Sequence, residues 1–136
     1  MQTRLGHIQV NVTPANLPFY RELMSFLGWQ TIHDSEFGVG VTAQGEPSVW
    51  FIAAANGANN DYDGVGMNHL GIHASSQAEV DQVVEFIKER GIPALFDTPR
   101  HRPDFAQDEN STYYQVMFES PDSVLFEVVY GGPKQN

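Results

Sequence analysis

Near the start of the chain Ile8, Val10 and Val12 alternate with His7, Gln9 and Asn11, the period-2 pattern of a strand buried on one face. Thr13-Pro14-Ala15-Asn16 interrupts it, and Asn16 is placed to cap a helix with an apolar stripe of Phe19, Leu23, Phe26 and Leu27. Gly28 supplies the stop. Apolar runs over 29–33, 37–42 and 47–53, separated by Asp34-Ser35-Glu36 and Gln44-Gly45-Glu46, predict three further strands. The predicted order is strand, helix, strand, strand, strand.

That order recurs. The Asn-, Gly- and Asp-rich segment 56–66 reads as a linker, with Asp61-Tyr62-Asp63-Gly64 as a turn. A strand over 68–74 follows, and Ser76-Gln77-Ala78-Glu79 is a capping box that opens a helix burying Val80, Val83, Val84 and Ile87. Gly91 ends it. A short strand over 94–96, a long polar loop over 97–112 and a hairpin of 113–119 with 123–130 complete the pattern, and 133–136 reads as a frayed tail. His69 stands 62 residues after His7, and Gly91 stands 63 after Gly28. Ser123-Val124-Leu125-Phe126-Glu127 answers Ser48-Val49-Trp50-Phe51-Ile52 at an offset of 75. An internal duplication of this kind means two copies of one supersecondary unit. The expectation is an α+β fold in a single domain, 1–136, made of module 1 (about 5–55) and module 2 (about 67–131) joined by the linker 56–66. The 13 extra residues of the second offset fall in the loop 97–112, the kind of segment that carries substrate selectivity.

Composition narrows the partners. A formal charge of -10, with only seven Lys and Arg residues, opposes binding to nucleic acid or to an anionic membrane, both polyanions. Without cysteine, any metal must be held by His, Asp or Glu. No apolar run reaches the roughly 18 residues a spanning helix needs, and no basic-then-apolar leader opens the chain, so a cytoplasmic location is expected.

His7, Gln9 and Asn11 share one strand face, and His69, Gly71 and His73 share the equivalent face of its repeat. In the last strand Val124, Phe126 and Val128 form the helix-side set, which leaves Glu127 on the other face with Leu125 and Val129. Polar groups on central strands need a cavity, water or an ion to offset their desolvation. Two imidazoles and one carboxylate form a ligand set for one divalent ion of Fe, Mn, Ni, Co or Zn with positions left for substrate. Taken singly, these are ordinary strand histidines and an edge carboxylate; their duplicated positions favour His7, His69 and Glu127 as metal ligands. His73 is either a general acid/base or a rim residue. Tyr113, Gln115 and Met117 should face the same cavity if Val116 and Phe118 face the helix. Arg100, His101 and Arg102 can capture a substrate carboxylate, carbonyl or phosphate, with a solvated loop cluster as the plainer explanation. Trp29 and Trp50 read as core or dimer-interface residues.

Paired βαβββ units, each opened by a Gly-His or Asn-His strand, with Ser-Pro-Asp-Ser-x-x-Phe-Glu-Val at the end, resemble the vicinal oxygen chelate superfamily. That superfamily includes glyoxalase I, extradiol dioxygenases, fosfomycin-resistance proteins, methylmalonyl-CoA epimerase and bleomycin-binding proteins. The likeness runs from Leu5 to about Tyr130. It implies an eight-stranded U-shaped sheet around a metal cavity with the helices outside, a homodimer, and metal ligands at His7, His69 and Glu127. Gln9, Asn11, Arg100, His101, Arg102, Gln115 and Met117 would then meet a small-molecule substrate, and His73 or Tyr113 would move or position a proton. The offset of 75 puts Ile52 where glyoxalase I and the epimerase carry a further ligand or catalytic group. The acid/base histidine that the extradiol enzymes place shortly before the second metal-binding strand has no counterpart between His33 and His69, and no lysine like that of the fosfomycin enzymes lies near the expected cavity. The expectation is a metal-dependent enzyme of glyoxalase or dioxygenase type, with an antibiotic-sequestering protein as the alternative.

Overall fold

The computed structural model describes residues 1–135, and the chain falls into two units, Met1–Asn59 and Asn60–Asn136. In the first, β1 (His7–Asn11), α1 (Leu17–Phe26), β2 (Gln30–Ser35), β3 (Gly38–Thr42) and β4 (Ser48–Ile52) form a mixed sheet of order β1-β4-β3-β2. β1 runs parallel to β4, as a strand-helix-strand crossover requires, and the other pairs are antiparallel. Ile8 and Val10 are half-buried between exposed His7, Gln9 and Asn11, the alternation expected of a one-sided strand. The helix turns a different face inward from the one its stripe predicts. Leu17, Tyr20, Leu23 and Met24 are buried, whereas Phe26 is 41% exposed. A 3-10 turn, Pro14–Asn16, leads into the helix and leaves Asn16 in a helical conformation with no side-chain cap bond, so the expected cap does not form. Tyr20 stacks on Phe51 at 4.5 Å between ring centres and closes the core with Val12, Val39, Val41 and Val49.

The second unit contains β5 (His69–His73), α2 (Gln77–Glu89), β6 (Arg100–His101), β7 (Ser111–Glu119) and β8 (Leu125–Pro133) in the order β5-β8-β7-β6. β5 pairs parallel with β8, the counterpart of β1 with β4. Both helices end alike. Trp29 N–H donates to the Met24 carbonyl and Gly28 N–H to that of Ser25, while Ile92 and Gly91 do the same to Ile87 and Lys88. Gly28 and Gly91 take the left-handed φ of 79° and 68° that this terminus requires.

At the start of α2 the Ser76 hydroxyl accepts from Glu79 N–H at 3.2 Å, and the Glu79 carboxylate accepts from Ser75 N–H at 2.6 Å, one residue earlier than a standard capping box. Replacing Ser76 by alanine should cost about 1 kcal/mol of unfolding free energy, read from urea denaturation. The helix buries Val80, Val83, Phe86 and Ile87; Phe86 takes the place expected of Val84, which is half-buried.

Three further expectations are corrected here. No strand forms over 94–96. Leu95 N–H makes one bond to the Met117 carbonyl, then Phe96 and Asp97, each at φ 56°, turn the chain away. The Thr98 hydroxyl stands in for the ladder, accepting from Met117 N–H and donating to the Leu95 carbonyl. The segment 97–112 is consequently not a featureless loop; it holds β6 and a 3-10 turn, Pro103–Phe105. The end of the chain is tied down through residue 135. Lys134 N–H bonds the Asn110 carbonyl, and Gln135 exchanges side-chain and main-chain bonds with Gln77. Asn136 lies outside the described residues.

Register also revises the internal repeat. Gln9 opposes Trp50 in the first unit, and its counterpart Gly71 opposes Glu127 in the second. Trp50, rather than Ile52, stands where the other unit has its acid. Its indole lies against Gly40, where an added Cβ would sit 2.8 Å from the ring, and its N–H donates to the Ser48 hydroxyl. One unit carries an indole at this place and the other a carboxylate.

Candidate functional site

Because neighbouring positions on paired strands share a face, the register of the second sheet fixes which side chains meet. His69 pairs with Leu125, Gly71 with Glu127 and His73 with Val129; across β8, Glu127 pairs with Met117 and Val129 with Gln115. Gln115 in turn pairs with Arg100. The opposite face belongs to α2, as the Tyr114 hydroxyl shows by donating to Asp81 on that helix at 2.7 Å. Val116, Phe118, Phe126 and Val128 share that side by alternation and are buried.

Glu127 is 6% exposed, and its carboxylate is held at both oxygens. The Tyr113 hydroxyl donates to Oε1 at 2.9 Å, and His69 Nε2 stands 3.2 Å from Oε2. Gly71 makes room for the acid to lean toward His69, since a Cβ there would already lie 3.4 Å from Oε2. Burial, and then the bond to Glu127, pushes the Tyr113 phenol up to about 12, so it remains a donor throughout the neutral range.

The tautomer of His69 follows from its neighbour. Asn68 donates through Nδ2 to the Tyr62 carbonyl at 2.8 Å, which turns Oδ1 toward His69 Nδ1, also at 2.8 Å. An amide oxygen only accepts, so Nδ1 carries the hydrogen and the lone pair of a neutral imidazole is left on Nε2. That lone pair then faces a carboxylate oxygen. Two acceptors at 3.2 Å require a cation between them, either a proton or a metal ion. The residues present therefore fit a metal: an imidazole Nε2 and a buried carboxylate, each oriented by a further hydrogen-bond partner, as metal ligands commonly are. Among the described residues no group of three or more His, Asp or Glu side chains is gathered for an ion, so within its unit the pair offers two donors.

The pair opens into a cavity of about 550 Å³ lined by residues of the second unit alone. Such a volume lies within the range of small-molecule sites, roughly 300–1,000 Å³. Tyr113, Gln115 and Met117 line it, as do Arg100 and Arg102. His101 does not; next to Arg100 on β6 it points the other way, and its ring lies 4.7 Å from that of Tyr114 on the helix side. His73 is exposed beside Val129, outside the lining residues. His7, Gln9 and Asn11 belong to the first unit, exposed on one face of β1, with Gln9 Nε2 donating to Asn11 Oδ1 at 2.9 Å. Leu125 lines it too, on the face it shares with Glu127, as do Asn68, Phe96 and Phe105, which sequence patterns do not single out. For Asn68 the signal was its place next to His69, whose second nitrogen needs a partner. The two phenylalanines lie in irregular chain, where no periodicity assigns a face.

No family model matches the chain. An uncharacterized Bacillus subtilis protein, YqjT, is 38% identical over 65 residues, which are 48% of this chain and 47% of that one, so the match spans about half the length of this relative. Solved structures align over nearly the full length. A Bacillus halodurans protein provisionally described as a glyoxalase is 27% identical, covers 95% of this chain and 96% of its own, and superposes with a TM-score of 0.76. A glyoxalase/dioxygenase from Nostoc punctiforme gives 0.73 at 17% identity, covering 96% and 92% of the two chains. The fosfomycin resistance protein FosX from Listeria monocytogenes, in complex with Mn(II) and sulfate, gives 0.67 at 21% identity with coverage of 96% and 92%. The last two likenesses speak to the fold alone. With paired βαβββ units and these structural relatives, the chain has the fold of the vicinal oxygen chelate superfamily.

Proposed function

We propose that the protein is a divalent-metal-dependent enzyme of the glyoxalase or dioxygenase type, acting on a small substrate whose neighbouring oxygens complete the coordination of the ion. The observation that carries this reading is His69 Nε2 set 3.2 Å from the buried Glu127 carboxylate, with Asn68 engaging Nδ1. His69 and Glu127 would hold the ion. Fe, Mn, Ni, Co and Zn all accept such donors. A divalent ion bound there supplies Lewis-acid stabilisation of negative charge developing on substrate oxygens. Tyr113 fixes the carboxylate through its O–H and acts as a positioning group. His73, exposed on the same strand face as His69, is the candidate for moving a proton. The segment 96–112 forms one wall, and Phe96, Arg100, Arg102 and Phe105 on it meet the rest of the substrate.

Sequestration of a cationic drug agrees with the net charge of -10 but not with two arginines in the cavity wall. A cytoplasmic homodimer completes the reading; apolar side chains such as Phe37, 69% exposed, offer surface for a second copy. No helix among the described residues is long and apolar enough to cross a membrane. Metal-loaded protein assayed against vicinal diols, thiol adducts of α-ketoaldehydes and epoxides tests the activity. Turnover of one class that disappears on chelation and in His69→Ala supports it. Turnover insensitive to both, or none with any class beside tight capture of a cationic drug, contradicts it.

A further inference from the structure

Arg4, Arg21 and Arg90 each meet a carboxylate, of Glu46, Asp34 and Glu89 respectively. Arg100 and Arg102 meet none among the described residues, in a chain with 17 acidic residues and seven basic ones. Both instead line the cavity, Arg100 on β6 and Arg102 one residue beyond its end. The sheet order β5-β8-β7-β6 puts Arg100 on the opposite edge strand from His69. At roughly 4.8 Å per strand the two backbones are about 14 Å apart. Between them lies Gln115, the register partner of Arg100, which is 2% exposed and has no hydrogen-bond partner for its Nε2. Buried amide donors in native proteins are nearly always paired, so this one lacks an acceptor that something else must bring. Three donors thus gather without an acceptor at one end of a cavity whose other end holds the metal candidates.

The apolar lining is equally specific. Phe96 and Phe105 are 50% and 56% exposed, yet both face this cavity. Phe105 is fixed edge-on to Tyr113 at 5.5 Å, and the Arg102 guanidinium lies 4.5 Å from its ring centre. Two rings beside two guanidinium groups match a flat apolar body that ends in a planar anion.

We propose that the cavity recognises an aromatic carboxylate, with the carboxylate taken by Arg100, Arg102 and the Gln115 amide and the ring lying against Phe96 and Phe105. This assignment deepens the enzyme reading and rests on its view of the cavity as the substrate site. The part of the substrate that undergoes reaction then points away from the arginines, toward His69 and Glu127.

The test is calorimetric titration of the full chain, freed of divalent ions by chelation, with benzoate, benzyl alcohol and inorganic phosphate. Benzoate should saturate at one per chain and bind about tenfold more tightly than the neutral alcohol or the ringless phosphate. The R100Q/R102Q double variant should lose about tenfold or more of that affinity, with its circular dichroism spectrum and its Mn(II) uptake unchanged. Gln115→Leu removes the unpartnered amide, so it should fold at least as stably while binding benzoate more weakly; a residue with a merely structural role would not separate the two. Benzoate bound no better than the alcohol or phosphate, or bound equally well by the double variant, overturns the assignment. Glu127→Gln keeps the two readings apart, since it should lose Mn(II) and retain benzoate.

Discussion

The Glu127→Gln protein should bind Mn(II) at least about 100-fold more weakly than the unmodified chain, a larger loss than removal of an outer hydrogen-bond partner produces. It should do so without any loss of stability. The substitution keeps the length and shape of the side chain, so its amide oxygen can still accept from Tyr113, as Oε1 does at 2.9 Å. The new NH2 would then point at His69 Nε2, where the carboxylate oxygen stood 3.2 Å away. A donor now faces a lone pair, and the pair is satisfied with no cation between. A site built only for structure should therefore tolerate this change or gain from it, whereas an ion site must fail. Calorimetric Mn(II) titration beside urea denaturation reads both quantities. Mn(II) affinity left unchanged by the substitution would contradict an ion site at Glu127.

Phe126→Ala, one position along the same strand, should do the reverse and lower the unfolding free energy by about 3–5 kcal/mol. Phe126 is fully buried, and its ring is stacked on that of Phe118, its register partner, at 5.6 Å and an interplanar angle of 9°. It also pairs with Leu70 on β5, so it joins both neighbours of β8 on the side that packs on α2. Truncation leaves a cavity that flat rings and β-ladders on either side cannot close. Against a total stability of roughly 5–15 kcal/mol for a protein of this kind, the loss is a large share. Urea denaturation followed by far-ultraviolet circular dichroism measures it; a change below about 1 kcal/mol would mean that the two strands do not meet α2 through this ring.

The residues that were legible from the sequence are those governed by short periods. Alternation around His7 and His69 identified β1 and β5 with their exposed faces, and the same rule applied to Tyr113, Gln115 and Met117 selects the face that lines the cavity. The stop glycines Gly28 and Gly91 announced two identical helix ends. What escaped depends on three-dimensional context. The inner face of α1 is decided by the sheet beneath it, which takes Tyr20 and Met24 in preference to Phe26. The false strand over 94–96 failed because the Thr98 side chain can satisfy the same β7 groups as a strand would. Aligning Ser48 with Ser123 misplaced the last strand, since strand register follows backbone pairing with β1 and β5 rather than residue likeness, and that put Trp50 opposite Gln9. The role of Asn68 is invisible in any periodic pattern, yet it decides which nitrogen of His69 is free.

A metal ion held by the enzyme should take His69 through Nε2. Pulsed electron paramagnetic resonance of the Mn(II)-loaded protein reads this directly, because a coordinated imidazole nitrogen modulates the electron spin echo. Nitrogen modulation from a bound imidazole that is lost or reduced in His69→Ala is the predicted result. A Mn(II) signal without nitrogen modulation, or one that His69→Ala leaves unchanged, would contradict it.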